Sequence, residues 1–399
     1  MKKGWQIKKL GDVCNVVGGG TPAKNKPAYY TGSIPWATVR DMRKDVITET
    51  EFRITKEAVK NSATNIIPSG NVVIATRVGL GKVCLLGQDT AINQDLRGIV
   101  PQNDKTLSIR FLYWWLKSIA DVIVAEGRGA TVQGVKLPFV KSLPIPLPSL
   151  AEQQRIVSIL DEAFETIATA KANAEKNLRN ARDLFESHLN DVFTKRGKGW
   201  EEKPLYEFCE RITKGSSPKW QGISYVETAG ILFVTSENVG EYDILLEQPK
   251  YVEEKFNAKE KKSILKKGDV LTNIVGASIG RTAVFNRDDV ANINQAVCLI
   301  RCEPLLLCNY YLAYLLNSPV FKQILHDNEV DNARANLSLG FFSKLPVTLP
   351  PIKKQLEIVE HLDTVRTETQ RLEAIYSQKL AALEALKKSL LDQAFSGGL

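Results

Sequence analysis

The sequence predicts an α+β fold: two tandem mixed α/β domains, each followed by a long helix, with the two helices pairing as an antiparallel coiled coil about a pseudo-two-fold axis. The first observation behind this prediction is that the second half of the chain repeats the first at a period of about 200 residues. The second is that each copy begins with a segment rich in glycine and short β-branched runs. The third is that each copy ends in a glycine-poor stretch with apolar residues at helical spacing.

Short matching segments carry the repeat along both halves. Lys3-Gly4-Trp5 matches Lys198-Gly199-Trp200, and the offset between copies grows only from 195 to 202 residues. The other matched pairs are Thr21-Pro22 with Ser217-Pro218, Ile34 to Thr38 with Ile231 to Thr235, Gly70 to Val73 with Gly268 to Leu271, Gly81-Lys82 with Gly280-Arg281, Ile92-Asn93-Gln94 with Ile293-Asn294-Gln295, Leu143 to Pro148 with Leu345 to Pro350, and Gln153 with Gln355. The copies therefore differ by small loop changes.

Four segments follow from this repeat: mixed domains over residues 1–149 and 196–350, and helical segments over 150–195 and 351–399. Within the domains, the alternating pattern at Ile34 to Thr38 and at Ile231 to Thr235 predicts a buried strand in each copy. The aromatic stretches Phe111 to Lys117 and Tyr310 to Leu316 predict helices.

Both helical segments carry apolar residues at alternating spacings of four and three, which is typical of a coiled-coil seam. The seam positions keep a constant offset of 202 residues, and a solvated helix has no reason to preserve them. They are Ile156, Leu160, Ala163, Ile167, Ala170, Ala174, Ala181 and Leu184 in the first copy, and Ile358, Leu362, Val365, Leu372, Tyr376, Leu383, Leu386 and Leu390 in the second.

Each seam must be buried, and the simplest partner for it is the other helix of the same chain. A helix of about 45 residues is roughly 65 Å long, which would hold the two domains far apart. Such an arrangement suits DNA, where sites recognised from one face are separated by about 10 base pairs or a multiple of that. Since the domains have diverged, the target is expected to be split and asymmetric. The pattern also permits helices that serve only as a dimerisation device or as part of a larger core.

The net charge of +8 favours a polyanionic partner, but the charge is unevenly distributed. Residues 1–149 contain 21 basic and 11 acidic side chains, a net charge of +10, whereas residues 199–350 contain 17 and 19, a net charge of −2. If the second domain binds nucleic acid, it must use a local cluster.

The six cysteines form no C-x-x-C pair, which predicts reduced and mostly buried thiols rather than a metal site. The first residues lack the apolar stretch of a signal peptide, and there is no apolar run of 18 residues. We therefore expect a cytoplasmic protein without membrane contacts.

Several motifs make the chain resemble the specificity subunit of a type I restriction-modification system over essentially its whole length. They are the opening Trp5 to Leu10, the Gly20-Thr21-Pro22 turn, the strand Ile34-Pro35-Trp36, the segment Pro68 to Lys82, and the exit Leu143 to Gln153 into a long helix, which occurs twice. In the second exit, Lys353-Lys354-Gln355 replaces Ala151-Glu152-Gln153, a change expected to affect partner docking only slightly.

The resemblance implies two target recognition domains, helical spacers and no catalytic residues. It further implies double-stranded DNA, two methyltransferase subunits and restriction/translocase subunits as partners. S-adenosylmethionine, ATP and magnesium are expected on those partner subunits and no cofactor on this chain.

DNA affinity should come from lysine and arginine at phosphates, and specificity from planar side chains at base edges. We expect these residues in the loops of both domains. In the first domain the candidates are Thr21, Lys24, Lys26, Thr38, Arg40, Arg43, Arg77, Lys82, Arg128, Thr131, Gln133 and Lys136. In the second they are Lys214, Ser216, Lys219, Glu237, Asn238, Asn273, Arg281, Arg334 and Asn336.

Other conspicuous motifs have structural interpretations. Gly129 to Lys136 approaches a P-loop, but valine stands where the lysine must reach phosphates. Gly79 to Lys82 and Gly276 to Gly280 are expected to be tight turns between strands, and Trp36 and Trp114-Trp115 to be core residues. No methyltransferase motif and no metal-binding histidine spacing is present.

Two alternatives to a non-catalytic DNA-binding scaffold remain open. One is a structural coiled-coil adaptor that does not bind DNA, which the −2 charge of residues 199–350 favours. The other is a stand-alone DNA-modifying enzyme.

Overall fold

The chain divides by its internal contacts into two units. One unit is built from two separate segments of the chain, and the other from a single central segment. A computed structural model describes residues 4–128, 134–195, 197–227, 230–329 and 337–399. The first unit comprises Met1–Glu175 with Gln378–Leu399, and the second comprises Lys176–Ser377.

Among the described residues, the first unit has two sheets, one strand pair and the α-helices α1 to α6, the last of which continues into the second unit. Its strands are β1 (Gln6–Lys9), β2 (Cys14–Gly18), β3 (Ile34–Ala37), β4 (Val46–Ile47), β5 (Phe52–Ile54), β6 (Asn65–Ile67), β7 (Val72–Ala75), β8 (Val83–Leu86), β9 (Thr90–Ile92), β10 (Leu96–Pro101) and β11 (Pro144–Leu147). Its helices are α1 (Leu10–Val13), α2 (Lys56–Lys60), α3 (Ile109–Ser118), α4 (Ala120–Arg128), α5 (Leu137–Ser142) and α6 (Leu150–Thr194).

One sheet of this unit has the strand order β2-β10-β7-β8-β4 and the other has β5-β3-β9-β6, while β1 pairs with β11. The strand pairs are antiparallel except β3–β9 and β4–β8. All residues of β7 and β8 are buried, as their uninterrupted apolar runs require. Trp114 and Trp115 of α3 and Trp36 of β3 are also buried, which confirms their assignment to the core.

The second unit repeats this architecture. Its strands are β12 (Glu201–Pro204), β13 (Cys209–Lys214), β14 (Tyr225–Val226), β15 (Ile231–Val234), β16 (Tyr251–Val252), β17 (Asp269–Asn273), β18 (Thr282–Phe285), β19 (Ala291–Ile293), β20 (Val297–Cys302) and β21 (Pro346–Leu349). Its helices are α7 (Lys255–Lys259), α8 (Asn309–Asn317), α9 (Pro319–Glu329), α10 (Leu339–Lys344) and α11 (Ile352–Ser396), whose last turns lie in the first unit.

The strand orders of the second unit are β13-β20-β17-β18 and β14-β16-β15-β19, and β12 pairs with β21. The parallel pair β15–β19 corresponds to β3–β9 of the first unit. The turns at Gly79 to Lys82 and Gly276 to Gly280 join β7 to β8 and β17 to β18, and Gly79, Gly81, Gly276 and Gly280 all have positive φ. Both turns therefore require glycine, as predicted.

A buried glutamine connects each long helix to the domain that precedes it. Gln153 of α6 accepts a hydrogen bond from the backbone N–H of Ser108 at 2.9 Å and donates to the carbonyls of Thr106 and Pro148. Since Ser108 is the N-cap of α3, the side chain satisfies an amide that the helix leaves free. Gln355 of α11 makes the same three bonds, to Cys308, Leu306 and Pro350.

The long helices α6 and α11 are each 45 residues long. Within the first unit their facing segments run antiparallel, since Arg155 donates to the Leu399 carbonyl and Lys171 bonds to Glu384 at 2.7 Å. Within the second unit, Arg182 faces Glu373 at 3.2 Å. The described helices include none that is both long and apolar enough to cross a membrane.

The predicted seam is buried at Ile156, Leu160, Ile167, Ala174 and Ala181, but its last position in the first helix is wrong. Leu184 is 47% exposed, and Leu386 of the second helix is 46% exposed.

Leu189 is buried in place of Leu184 because this end of α6 packs into the core of the second domain. Phe185 and Phe193 lie against that core and contact Tyr314 and Tyr311 of α8. The apolar face of the helix therefore turns toward the domain and leaves the heptad register.

The cysteines are unpaired, as predicted. Four of them are buried, namely Cys14, Cys84, Cys298 and Cys302. Burial raises the pKa of Cys14 to about 12 and that of Cys84 to about 11, so these thiols stay protonated at neutral pH.

Candidate nucleic-acid interface

A cleft of about 710 Å³ opens on the surface of the first domain, beside the ends of β3 and β9. It is lined by aromatic, basic and amide side chains. They are Thr21, Lys24, Tyr30, Trp36, Thr38, Val39, Arg40, Phe52, Val78, Lys82, Asn93, Gln94 and Asp95. Five of the predicted DNA contacts are thus brought together: Thr21, Lys24, Thr38, Arg40 and Lys82.

Aromatic rings form the floor of the cleft. Trp36 packs edge-to-face against Tyr30 and Phe52, with ring centroids 6.0 and 6.2 Å away. Its indole N–H donates to the Gly20 carbonyl at 3.1 Å, which ties the Gly20-Thr21-Pro22 turn to the floor. The floor is therefore fixed by packing and by a buried hydrogen bond.

Amide side chains stand on one wall, where β9 ends. Asn93 donates to the Asp95 carboxylate at 3.0 Å, and Gln94 donates to the same oxygen at 3.4 Å and contacts the Thr21 hydroxyl. A half-buried glutamine held this way presents a planar amide, the group that pairs with an adenine edge. The sequence analysis does not include Gln94 among the candidate DNA contacts. The presence of glutamine at the matched position of the second copy, Gln295, could have indicated it.

Cations stand on the rim of the cleft. Lys24 and Lys82 are exposed, and the side chain of Arg40 is 72% exposed with Glu51 at 3.5 Å. The turn that carries Arg40 is fixed by a capping box, in which Thr38 N–H donates to Asp41 at 2.7 Å and Arg40 N–H donates to the Thr38 hydroxyl. Exposed cations on a braced turn are suited to phosphate contacts.

The remaining described candidates of the first domain lie outside the cleft and are exposed: Lys26, Arg43, Arg77 and Lys136. Lys26 stacks over Tyr29, and Arg43 donates to the Arg40 carbonyl at 2.9 Å.

Arg77 is close enough to Arg97 to affect its ionisation. Burial lowers the pKa of Arg97, and the positive charge of Arg77 lowers it further. The Asp95 carboxylate acts in the opposite direction and raises this pKa. Of the exit loop, Thr131 and Gln133 and the side chain of Arg128 lie outside the described residues.

In the second domain, Lys214, Lys219, Glu237 and Arg281 are exposed, and Ser216 is half-buried. Glu237 pairs with Lys250 at 2.5 Å, and the hydrogen bond from Lys250 lowers the pKa of its carboxyl group. Arg334 and Asn336 lie outside the described residues.

Two predicted contacts of the second domain are wrong, because their side chains are buried structural groups. Asn273 is fully buried, and its amide nitrogen donates to the Ser236 carbonyl and the Ser278 hydroxyl. Asn238 is also buried, accepts from Thr235 and donates to the Leu245 carbonyl. Neither amide can reach a ligand at the surface.

The sequence profile of the type I restriction modification DNA specificity domain matches the chain twice, over residues 2–178 and 197–384. The chain is also similar to the type I restriction enzyme MjaIX specificity subunit of Methanocaldococcus jannaschii, with 29% identity covering 58% of this chain and 57% of that protein. The EcoR124I/EcoR124II specificity subunit of Escherichia coli is 35% identical, over 41% of each chain. The matched regions thus span about half the length of these curated relatives.

Two solved structures share the fold along the whole chain. One comes from a study of complex assembly and conformational transition of the type I R-M system, with a TM-score of 0.80, 22% identity and coverage of 100% of this chain and 99% of that one. The HsdS subunit of Thermoanaerobacter tengcongensis gives a TM-score of 0.62 at 21% identity, covering 100% and 98%. With two copies of the family's domain in one continuous chain and the fold repeated in both units, the protein belongs to the family of type I restriction-modification DNA specificity subunits.

Proposed function

We propose that this chain is the non-catalytic subunit that gives a type I restriction-modification complex its DNA sequence specificity. The domains at 1–149 and 196–350 each contact one half of a bipartite, asymmetric target. The single observation that carries the proposal is the double family match, one copy per domain. The cleft of the first domain supports it, because five residues selected as DNA contacts from sequence converge there.

The helical segments at 150–195 and 351–399 set the distance between the half-sites by pairing as an antiparallel coiled coil. The ion pairs Lys171–Glu384 and Arg182–Glu373, one in each unit, support this pairing. Large apolar side chains remain exposed on α11, with Leu356 54% and Ile375 45% exposed, and suit a docking surface. We assign that surface to two methyltransferase subunits, which restriction/translocase subunits then join.

The chemistry is assigned to those partners. S-adenosylmethionine, ATP and magnesium bind the methyltransferase and translocase subunits, and this chain contributes the DNA contacts in the cytoplasm, where the substrate is found. The cleft residues are suited to binding, since they combine cations with amide and hydroxyl groups.

The test is a map of N6-methyladenine across the source genome, with and without this gene. Loss of a split, asymmetric methylated motif is the expected result and identifies both half-sites. Methylation of the motif after deletion of the gene would refute the assignment. Methylation by the purified chain alone, supplied with S-adenosylmethionine, would show a stand-alone enzyme instead.

The assignment of domains to half-sites has its own test. Replacing Lys24 and Arg40 together by alanine should weaken recognition of one half-site and leave the other intact. Relaxation of both half-sites together would contradict the assignment. Unchanged DNA binding by the complex, with its assembly lost on helix substitutions, would favour a structural adaptor.

A further inference from the structure

The loops that begin at Gly19 and Gly215 are held in the two domains by equivalent backbone contacts. Gly19 and Gly215 each pass so close to the end of a central strand that a Cβ atom would lie 2.0 and 1.8 Å from a backbone oxygen, of Asn93 and Ile293 respectively. Each glycine is followed three residues later by proline. The first loop is therefore held at the same place in both domains.

The far end of the loop is equivalent as well. Tyr30 packs edge-on against Trp36 of β3 at 6.0 Å, and Tyr225 packs edge-on against Phe233 of β15 at 5.9 Å. Trp36 and Phe233 are matched positions of the repeat. Between these anchors, the residue five places after the glycine is Lys24 in the first domain and Trp220 in the second.

The two domains carry different charges at matched positions of these loops and of the turns after β3 and β15. Where Lys24 provides a cation in the first domain, Trp220 provides an aromatic ring. Where Arg40 pairs with Glu51, the second domain has the reversed pair, Glu237 with Lys250. These two positions thus carry no positive charge in the second domain, although the exposed Lys219 precedes Trp220 directly.

Trp220 is 74% exposed although the turn that carries it is fixed. Its backbone N–H donates to the Ser217 carbonyl at 3.1 Å, and the buried Pro218 begins the 3-10 turn Pro218–Gln221. Gln221, next in the chain, donates to Glu260 at 2.8 Å, and its carbonyl accepts from Lys259. An exposed indole on a braced backbone is prepared to contact a ligand at little entropic cost.

We propose that Trp220 is a DNA-contacting residue of the second domain, packing its indole against apolar base edges, such as a thymine methyl group, where Lys24 of the first domain contacts a phosphate. The proposal rests on the proposed function and adds that the two domains bind DNA through different kinds of contact. The first domain holds its half-site largely by phosphate neutralisation, whose strength falls with salt. The second domain, with a net charge of −2 over residues 199–350, uses an apolar contact that salt does not screen.

The test measures binding by the complete complex to duplexes carrying the mapped methylated sequence, over a range of salt concentrations. Trp220→Ala should weaken binding by about tenfold, because the buried area of the indole is lost, without changing the slope of log K against log salt. Lys24→Ala should reduce the steepness of that slope by about one. Trp220→Phe, which keeps an aromatic ring, is the matched control and should restore most of the affinity.

Duplexes with one half-site scrambled assign each effect to its domain. The loss caused by Trp220→Ala should vanish when the second half-site is already scrambled and persist when the first is. Unchanged affinity in Trp220→Ala, or a flatter salt slope, would overturn the proposal. Failure of the Trp220→Ala complex to assemble, judged by size-exclusion chromatography, would place the indole at a protein interface and also overturn it.

The proposed function fails in a different way. In that case the unsubstituted complex would bind the mapped duplex no better than a scrambled one, or no methylated motif would depend on the gene. Discrimination by the unsubstituted complex together with an indifferent Trp220→Ala variant would overturn the further inference alone.

Discussion

Replacing Gln153 by leucine should destabilise the first unit strongly. The side chain is fully buried and makes three hydrogen bonds, to Ser108, Thr106 and Pro148. Leucine has a similar volume but leaves one N–H and two carbonyls without partners, and each such group costs about 1–3 kcal/mol. We expect a loss of about 3–5 kcal/mol, with the lower values applying if water reaches one of the carbonyls.

Calorimetry of the purified chain measures this loss. A unit of about 200 residues loses about 2–4 °C in Tm per kcal/mol, so the transition should fall by about 6–20 °C. The neighbouring exposed residue provides the control, because Gln154→Leu should stay within about 0.5 kcal/mol of the unsubstituted chain. Gln355→Leu should reproduce the loss in the second unit, where the same bonds occur.

A Gln153→Leu variant that melts within about 2 °C of the unsubstituted chain would refute the reasoning, since three buried groups cannot lose their partners at so small a cost. If Gln153→Leu lowers the free energy of unfolding and Gln355→Leu does not, the same hydrogen-bond geometry does not contribute equally to stability in the two units.

Three further predictions concern packing and exposure. Gly19→Ala should unfold or misplace the loop that follows it, because the added Cβ would overlap backbone atoms. Gly18→Ala is the control, since a Cβ at that position has no atom within 4 Å, and circular dichroism melts compare the two variants. N-ethylmaleimide at neutral pH should label the partly exposed Cys209 and Cys308 faster than the buried thiols, and all six after unfolding, as counted by mass spectrometry. Leu184→Ser should cost less than about 0.5 kcal/mol in urea unfolding, since this side chain is 47% exposed; a loss of 2 kcal/mol or more would restore Leu184 to the seam.

The sequence was sufficient for the elements whose pattern is long and regular. The heptad spacing from Ile156 to Ala181 predicts a buried face because every position is determined by the same helical period. The register ends at Leu184, where α6 meets the core that contains Leu189. Such a change depends on a tertiary contact with α8, which no local pattern encodes.

The site was predicted less completely, because residue type does not determine exposure. Asn273 has the side chain of a base-reading residue, but its position at the end of β17 is buried and its amide is used by the Ser236 carbonyl. Gln94 shows the opposite case: the sequence pattern marks it only as a repeated position, yet its side chain lines the cleft. Lys24 and Arg40 are exposed at the cleft, as expected of cations in glycine-rich loops, which are seldom buried; their contact with DNA stays a prediction.

The repeat preserves the hydrogen bonds that join each long helix to its domain and changes exposed residues of the loops. Asp161 of α6 accepts a hydrogen bond from Trp114 at 2.7 Å, and Asp363 of α11 accepts one from Tyr314 at 2.5 Å. Asp161 is only partly buried and Asp363 is exposed, so their loss should cost less than the loss of a buried glutamine, which leaves buried groups without partners.

A rim position carries no such penalty. Exposed residues on a braced turn can change from Lys24 to Trp220 within about 0.5 kcal/mol of stability, because the turn is held by its backbone and by buried neighbours. A substitution at such a position therefore changes the exposed surface of one domain and leaves the buried bonds between helix and domain in place.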